Sequence, residues 1–247
     1  MYQERFMVLW PNASPVAILW HDFADRNCND YRFETKNTSM SAEITKGQNR
    51  SDAKVSLGQA LLASYEKDEV LLRLARLLVE HGWSLLGSEG TARYLNENNI
   101  VCRDVSEIVG TPILGHRVVT LSREIHAALL STPKDADELE KLGIIPIDLV
   151  YVTLYPLERT VADPSAVPDD VLEKTDIGGP TLLRSAAKGR RLALSDPSQV
   201  DELERWFSRG ASGEEREKLV RRFAAAAERR VADYVGISAS YWEKRSD

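Results

Sequence analysis

The stretch QALLASYEKDEVLLRLARLLVEHGWSLLGSEGTARYLNENNIVCR, residues 59–103, decides the fold. It opens on a short apolar run of strand length, Ala60 to Ser64. Apolar residues then recur at Val70, Leu71, Leu74, Leu77 and Leu78, offsets that lay one stripe along a helix. Asp68 and Glu69 stand at the start of that helix, where its dipole favours negative charge, and Gly82 follows His81 as a left-handed stop. A second apolar run, Trp83 to Leu86, leads into GSEGTA at 87–92, a short helix to about Asn98, and a third strand over Ile100 to Arg103. Strand, helix and strand in this order predict a parallel sheet.

Downstream, DLVYVTL at 148–154 is β-branched and aromatic with one acid at its entrance, the pattern of a buried strand. DIGGPTLLRSAAK at 176–188 reads as a glycine turn with Pro180 at a helix start. Arg191 to Leu194 adds a strand, and Pro197 to Tyr234 reads as two helices, the second beginning near Ser212. The fold class is α/β, a parallel sheet flanked by helices. Upstream, residues 1–58 change in character, from the aromatics Phe6, Trp10, Trp20, Phe23, Tyr31 and Phe33 to a polar run between Thr35 and Lys54. They read as an amino-terminal extension, partly linker, ahead of a domain over 59–247.

With 247 residues, 43% apolar and 28% charged, the chain has ordinary soluble composition and is long enough for a sizeable core. Lysine and arginine total 32 against 38 acids, a net charge of -6, which argues against nucleic acid as a partner. Cys28 and Cys102 are the only cysteines, and His21, His81, His116 and His126 lack metal-ligand spacing, so neither a disulfide framework nor a metal site is expected. A reducing, cytoplasmic setting follows. Glu4, Pro11, Asn12 and Pro15 interrupt the opening apolar stretches, so no signal peptide or membrane span is expected.

Two places can carry chemistry. GSEGTA lies between a strand and a helix, where free backbone N–H groups and the helix dipole hold anions, and Ser88 and Thr91 add hydroxyls. The same turn also occurs with no ligand. The second place combines LYP at 154–156 with DIGG at 176–179 and Lys188. Asp176 beside two glycines and a helix start suits the grip of a polar planar ligand. Plainer roles exist for each: Asp176 as a turn cap, Tyr155 as packing, Lys188 as a helix-end cation.

The order and spacing of ALLAS with Lys67, SEGTA, DVSEIVGTP, GHRVVTL followed by IHAALL, GIIPIDLVYVTLYPLERTVADP and above all DIGGPTLLRSAAK resemble one family. It is the inosine monophosphate cyclohydrolase domain of the bifunctional purine-biosynthesis enzyme, with its methylglyoxal-synthase-like fold. The likeness covers roughly residues 59–235. It implies a homodimer, here standing alone without the formyl-transferring domain, that acts on a purine-type ribonucleotide or analogue. It further implies ring closure on a formamido-imidazole-carboxamide ribonucleotide, with loss of water and no cofactor. Asp176 would accept the proton of the attacking carboxamide nitrogen, while Lys188, Tyr155 and the N–H groups of Gly178 and Gly179 would face the charge developing on the formyl oxygen. Lys67, Ser88, Gly90, Thr91, Arg117 and Thr120 match the positions that grip phosphate and ribose.

Other pocket positions depart from the family. Its Arg-Val-Lys-Thr-Leu-His-Pro is here Arg117 to Arg123, with Val119 in place of the lysine and Ser122 in place of the histidine. Its asparagine before Leu-Tyr-Pro is Thr153, and Tyr65 and Glu89 replace a serine and a glycine. Val119 neither donates a proton nor offsets negative charge, and Glu89 sets a carboxylate in the loop expected to cradle a dianion. Scaffold kept and pocket altered imply a diverged cyclohydrolase-like enzyme. The alternative is a catalytically silent purine-nucleotide-binding or regulatory module. A phosphate lyase of the methylglyoxal-synthase type lacks support, because no pair of aspartates lies in the phosphate loop.

Overall fold

The apolar run after residue 57 forms β1 (Gly58–Ser64), which turns through Asp68 into α1 (Glu69–Glu80). The Asp68 carboxylate caps that helix by accepting from the Leu71 N–H at 2.9 Å, and Gly82, at φ 78°, ends the turn into β2 (Trp83–Gly87) as predicted. α2 (Glu89–Glu97) follows from Ser88. The computed structural model describes residues 57–115 and 117–245. The amino-terminal aromatics, Cys28, His21 and His116 lie outside the described residues, as does the extension except for Leu57 and Gly58.

The third strand sits later than the sequence pattern predicts. Only Arg103–Asp104 (β3) pairs with β2, not Ile100 onward. Asn96 supplies the reason: its side chain donates to the Cys102 carbonyl at 2.8 Å and accepts the Cys102 N–H at 3.1 Å. The backbone there is satisfied without a strand neighbour, while Ile100 and Cys102 still bury their side chains.

Short helices then fill a region where the sequence pattern is silent: α3 (Ser106–Val109), α4 (Arg123–Leu130) and, past a 3-10 turn, α5 (Ala136–Leu142). β4 (Leu149–Thr153) forms where expected and leads through α6 (Leu157–Ala162) and α7 (Pro168–Glu173) to α8 (Gly178–Lys188), whose first turn holds Pro180. β5 (Leu192–Leu194), α9 (Gln199–Ser208) and α10 (Gly213–Glu243) complete the chain. The last helix starts at its Ser212 cap as read, but continues well past Tyr234 because Tyr241 is buried too.

All strand pairs are parallel, in the order β3-β2-β1-β4-β5. Alternate residues of each central strand enter opposite cores. Ala60, Leu62, Leu149 and Tyr151 meet α1 and α9, whereas Leu61, Val150 and Val152 meet α4 and α8. Helix α10 joins both: Leu219, Val220 and Phe223 enter the first core, and Ala227, Val231, Tyr234 and Tyr241 the second. It therefore covers the β5 edge, which would otherwise offer unpaired backbone groups. Among the described residues, no helix is long and apolar enough to cross a membrane.

Candidate active site

The chain leaves β1 toward β2 and β3 on one side and returns through β4 to β5 on the other, so the order switches between β1 and β4. Loops that follow these two strands part from each other and open a crevice at the carboxyl end of the sheet. A cleft of about 810 Å³ lies there. Its walls include Tyr65, Lys67, Ser88, Glu89, Gly90, Arg117, Val119, Thr120, Thr153, Tyr155, Asp176, Gly178 and Gly179, so most of the sequence-predicted positions meet in one place.

One end gathers cations at a helix start. The α2 helix opens with backbone N–H groups that it cannot satisfy internally. Beside them stand Lys67 and Arg93: a Cβ added to Gly90 would lie 3.8 Å from Lys67 Cε and 3.9 Å from an Arg93 guanidinium nitrogen. Burial, with Arg93 adding to it, lowers the Lys67 pKa below the usual lysine range, against a smaller opposing pull from Glu66. Lys67 and Arg93 thus set two cations beside the helix start, a cationic surface of the kind that attracts anions. Lys67 Nζ meanwhile donates to the carbonyl of Ser64 and, at 3.4 Å, to that of Tyr65. Glu89 turns to Arg93, 3.5 Å away, rather than to Lys67 or Arg117, and both partners are largely exposed. Arg117 lies in a loop whose Leu114 carbonyl accepts from its Nε at 2.8 Å. Arg93 escapes the sequence reading, although it sits on the same helical face as Glu89, four residues on.

Asp176 dominates the other end. Its carboxylate accepts the Gly179 N–H at 2.9 Å, and the N–H groups of Gly178 and Tyr155 also pull its pKa down. Burial outweighs them, and the pKa stands above the ordinary aspartate value. The glycines are required by crowding. A Cβ on Gly178 would meet Thr120 Oγ1 at 2.8 Å, and one on Gly179 would meet Leu154 at 2.7 Å. The N–H groups of Gly178 and Gly179, expected from the sequence to face the ligand, donate to Asp176. Donors toward a ligand remain in Thr120 and Tyr155.

Between the ends, the rings of Tyr65 and Tyr155 meet edge to face, with centroids 5.3 Å apart. Thr153 orients the first of them. Its Oγ1 accepts the N–H of Tyr65 at 2.7 Å and of Glu66 at 3.3 Å and pairs with Ser64 Oγ at 2.7 Å. Val119 borders the cleft while packing partly on the second core.

Three predicted positions lie outside the cleft lining. Thr91 is fully buried, and its hydroxyl bridges Ser64 N–H, Ser64 carbonyl and Ser88 Oγ, so it ties β1 to α2 instead of facing a ligand. Ser122 caps α4 by accepting the Ile125 N–H at 3.1 Å. Lys188 ends α8, which begins at Gly178 two residues after Asp176, and ten helical steps of about 1.5 Å each set it ~15 Å along the axis from that start. Helical periodicity alone reveals that separation. His126, on α4, bonds Ser185 Oγ at 2.9 Å outside the cleft lining, and burial lowers its pKa. Among the described residues no three His, Cys, Asp or Glu side chains are grouped to hold a metal.

The family model of the MGS-like domain matches residues 70–181, which contain β2, α2, β4 and the Asp176 loop. The bifunctional purine biosynthesis protein PurH of Thermosynechococcus vestitus is 44% identical over 152 residues, 59% of this chain and 29% of that protein. PurH of Prochlorococcus marinus is 36% identical over 189 residues, 74% of this chain and 36% of that protein. The chain thus spans about a third of the length of these curated relatives. The crystal structure of ForH superposes with a TM-score of 0.64 at 30% identity, over 76% of this chain and all of that one. The parallel sheet, the matched segment and these likenesses agree: the chain carries an MGS-like domain and is homologous to part of the bifunctional purine biosynthesis protein PurH.

Proposed function

We propose that this chain is a diverged cyclohydrolase-like enzyme that closes a heteroaromatic ring, with loss of water, on a 5′-phosphorylated purine-type ribonucleotide or analogue, working as a homodimer. The observation that carries the reading is the two-ended cleft. Lys67, Arg93 and the α2 start offer a phosphate seat at one end, and a buried carboxylate, Asp176, stands at the other.

On a formamido-imidazole-carboxamide ribonucleotide, the carboxamide nitrogen attacks the formyl carbon and gives its proton to Asp176. The formyl oxygen, hydrogen-bonded by Thr120 and Tyr155 in the transition state, takes up protons and leaves as water when the second nitrogen loses its hydrogen. A carboxyl with a raised pKa suits this task, because it accepts the proton and returns it in the dehydration. The Tyr65 and Tyr155 rings supply an aromatic wall for the heterocycle between the two ends. Lys188 takes no part in this account, since it sits at the far end of α8.

Val119 and Glu89 support divergence from the ordinary reaction. The first removes a cation from the reacting side and the second adds an anion near the phosphate side. Calorimetric titration with inosine and xanthosine monophosphates tests the phosphate seat. Binding only at millimolar concentrations, or nucleosides bound as tightly, would sink it. Absorbance at ring closure tests the reaction, and nucleotide binding without turnover favours the silent module.

A further inference from the structure

Asp176 is held from two directions, and only one belongs to the cleft. From α8 comes the Gly179 N–H. From α10 comes Tyr234, whose hydroxyl accepts the Asp176 N–H at 2.9 Å and donates to the Lys174 carbonyl at 2.9 Å. Its ring is 3% exposed in the second core. A phenylalanine ring would fill the same space, so the hydroxyl serves the two backbone groups that flank Thr175. Without it a part-buried N–H and a carbonyl lose their partners, and the segment that aims the carboxylate is released. Tyr234 also lies beyond residues 70–181, the part matched by the family model.

We propose that Tyr234 is a positioning residue for Asp176, so that α10 builds the reactive end of the cleft from outside the matched MGS-like segment. The proposal rests on the reading of Asp176 as the base. Tyr241 provides a matched control on the same helix: it is 4% exposed and its buried hydroxyl has no hydrogen-bond partner among the described residues. Tyr234→Phe and Tyr241→Phe are compared by hydrogen exchange, and by kcat and KM on the formamido-imidazole-carboxamide ribonucleotide, alongside Asp176→Asn.

For Tyr234→Phe, amide exchange across 174–179 should quicken about fivefold or more, the factor matching the roughly 1 kcal/mol net worth of one hydrogen bond. Exchange across 88–95 should stay unchanged, and Tyr241→Phe should alter neither segment. Turnover by Tyr234→Phe should fall about tenfold with KM within about threefold, and the double variant with Asp176→Asn should be no slower than Asp176→Asn alone. Unchanged exchange, or an equal change in Tyr241→Phe, overturns the proposal. So does faster exchange with full kcat while Asp176→Asn is inactive. Full activity of Asp176→Asn overturns the base itself, and exchange then still decides whether Tyr234 holds the loop. If the wild type gives no turnover, exchange decides alone: faster exchange across 174–179 in Tyr234→Phe and not in Tyr241→Phe supports the proposal, and any other result overturns it.

Discussion

The proposed phosphate end of the cleft and the proposed reactive end are built by different means. The first comes from consecutive elements, β1 to α2, and uses backbone N–H groups, two nearby cations and the Thr91 bridge. The second gathers β4, the 117–121 loop, α8 and α10, and its carboxylate keeps a raised pKa only because burial exceeds the pull of three N–H groups. The local end therefore has spare parts, and the assembled end depends on one group held in one place. Substitutions should separate the two.

The largest effect is expected at Asp176. Asp176→Asn should lower kcat by about 10² to 10⁴, the usual worth of a general base, with inosine monophosphate affinity changed only a few-fold. Stability moves the other way. Because burial raises the carboxyl pKa, the folded chain holds this proton as pH climbs past the ordinary aspartate value near ~4, and the unfolded chain does not. Stability is thus lost as pH rises through the folded pKa, and the asparagine avoids that loss. Melting temperatures of variant minus wild type should grow more positive from about pH 4 to pH 7. A flat difference would mean that the carboxylate is not strained in the folded chain.

Lys67→Gln probes the local end. It should weaken inosine monophosphate binding by about 10- to 100-fold, as expected for a charge-assisted hydrogen bond of roughly 1.5 to 3 kcal/mol, and leave inosine unaffected. In the wild type, affinity should decline with rising pH before the ordinary lysine value of about 10.4 is reached, because a neutral Lys67 must regain its proton to meet the phosphate. Lys67→Gln should flatten that profile. Equal loss for nucleotide and nucleoside would place the phosphate elsewhere.

How much of this was legible in the sequence follows the same division. The helical stripe of α1, its Asp68 cap, the Gly82 stop and the β4 run are local patterns, and they form as read. The start of β3 was not legible, since Asn96 takes over the backbone of Cys102 through a contact no periodicity reveals. Within the site, the motifs point to Asp176, Thr91 and Lys188 alike, while the cleft lining includes Asp176 and lacks the other two, and the glycine N–H groups turn to Asp176. A motif records which residues recur and not which way they point. Arg93 and Tyr234 were invisible because one is an ordinary surface residue of a helix and the other lies fifty-eight positions from the group it touches.

Val119 sharpens the comparison at the altered side of the reactive end. It borders the cleft at half-buried depth, so a lysine there can reach the ligand while its stem replaces the valine against the core. Val119→Lys should raise ring closure of the formamido-imidazole substrate about tenfold, part of the 10² to 10³ that one such donor is worth. Wild-type rates already as high as those of the variant would show that this position no longer limits the reaction.

The smallest effect is expected at Glu89, where the two ends can be told apart by charge alone. Its carboxylate lies 3.5 Å from Arg93, with side-chain exposures of 59% and 65%, so the pair is worth only about 0.2 to 1 kcal/mol. That is enough to compete weakly with a phosphate for the same guanidinium. Glu89→Gln keeps the side-chain length and removes the negative charge, at a slight cost to the α2 dipole interaction. Inosine monophosphate should bind about two- to fivefold more tightly to the variant at low salt, and the gain should fade as ionic strength rises and the Debye length falls to about 8 Å. Inosine should bind the same, and ring closure, governed from the Asp176 end, should keep its kcat. Tighter binding of inosine as well would move the effect away from the phosphate. Weaker nucleotide binding would reverse the sign and make Glu89 the residue that aims Arg93 at the ligand.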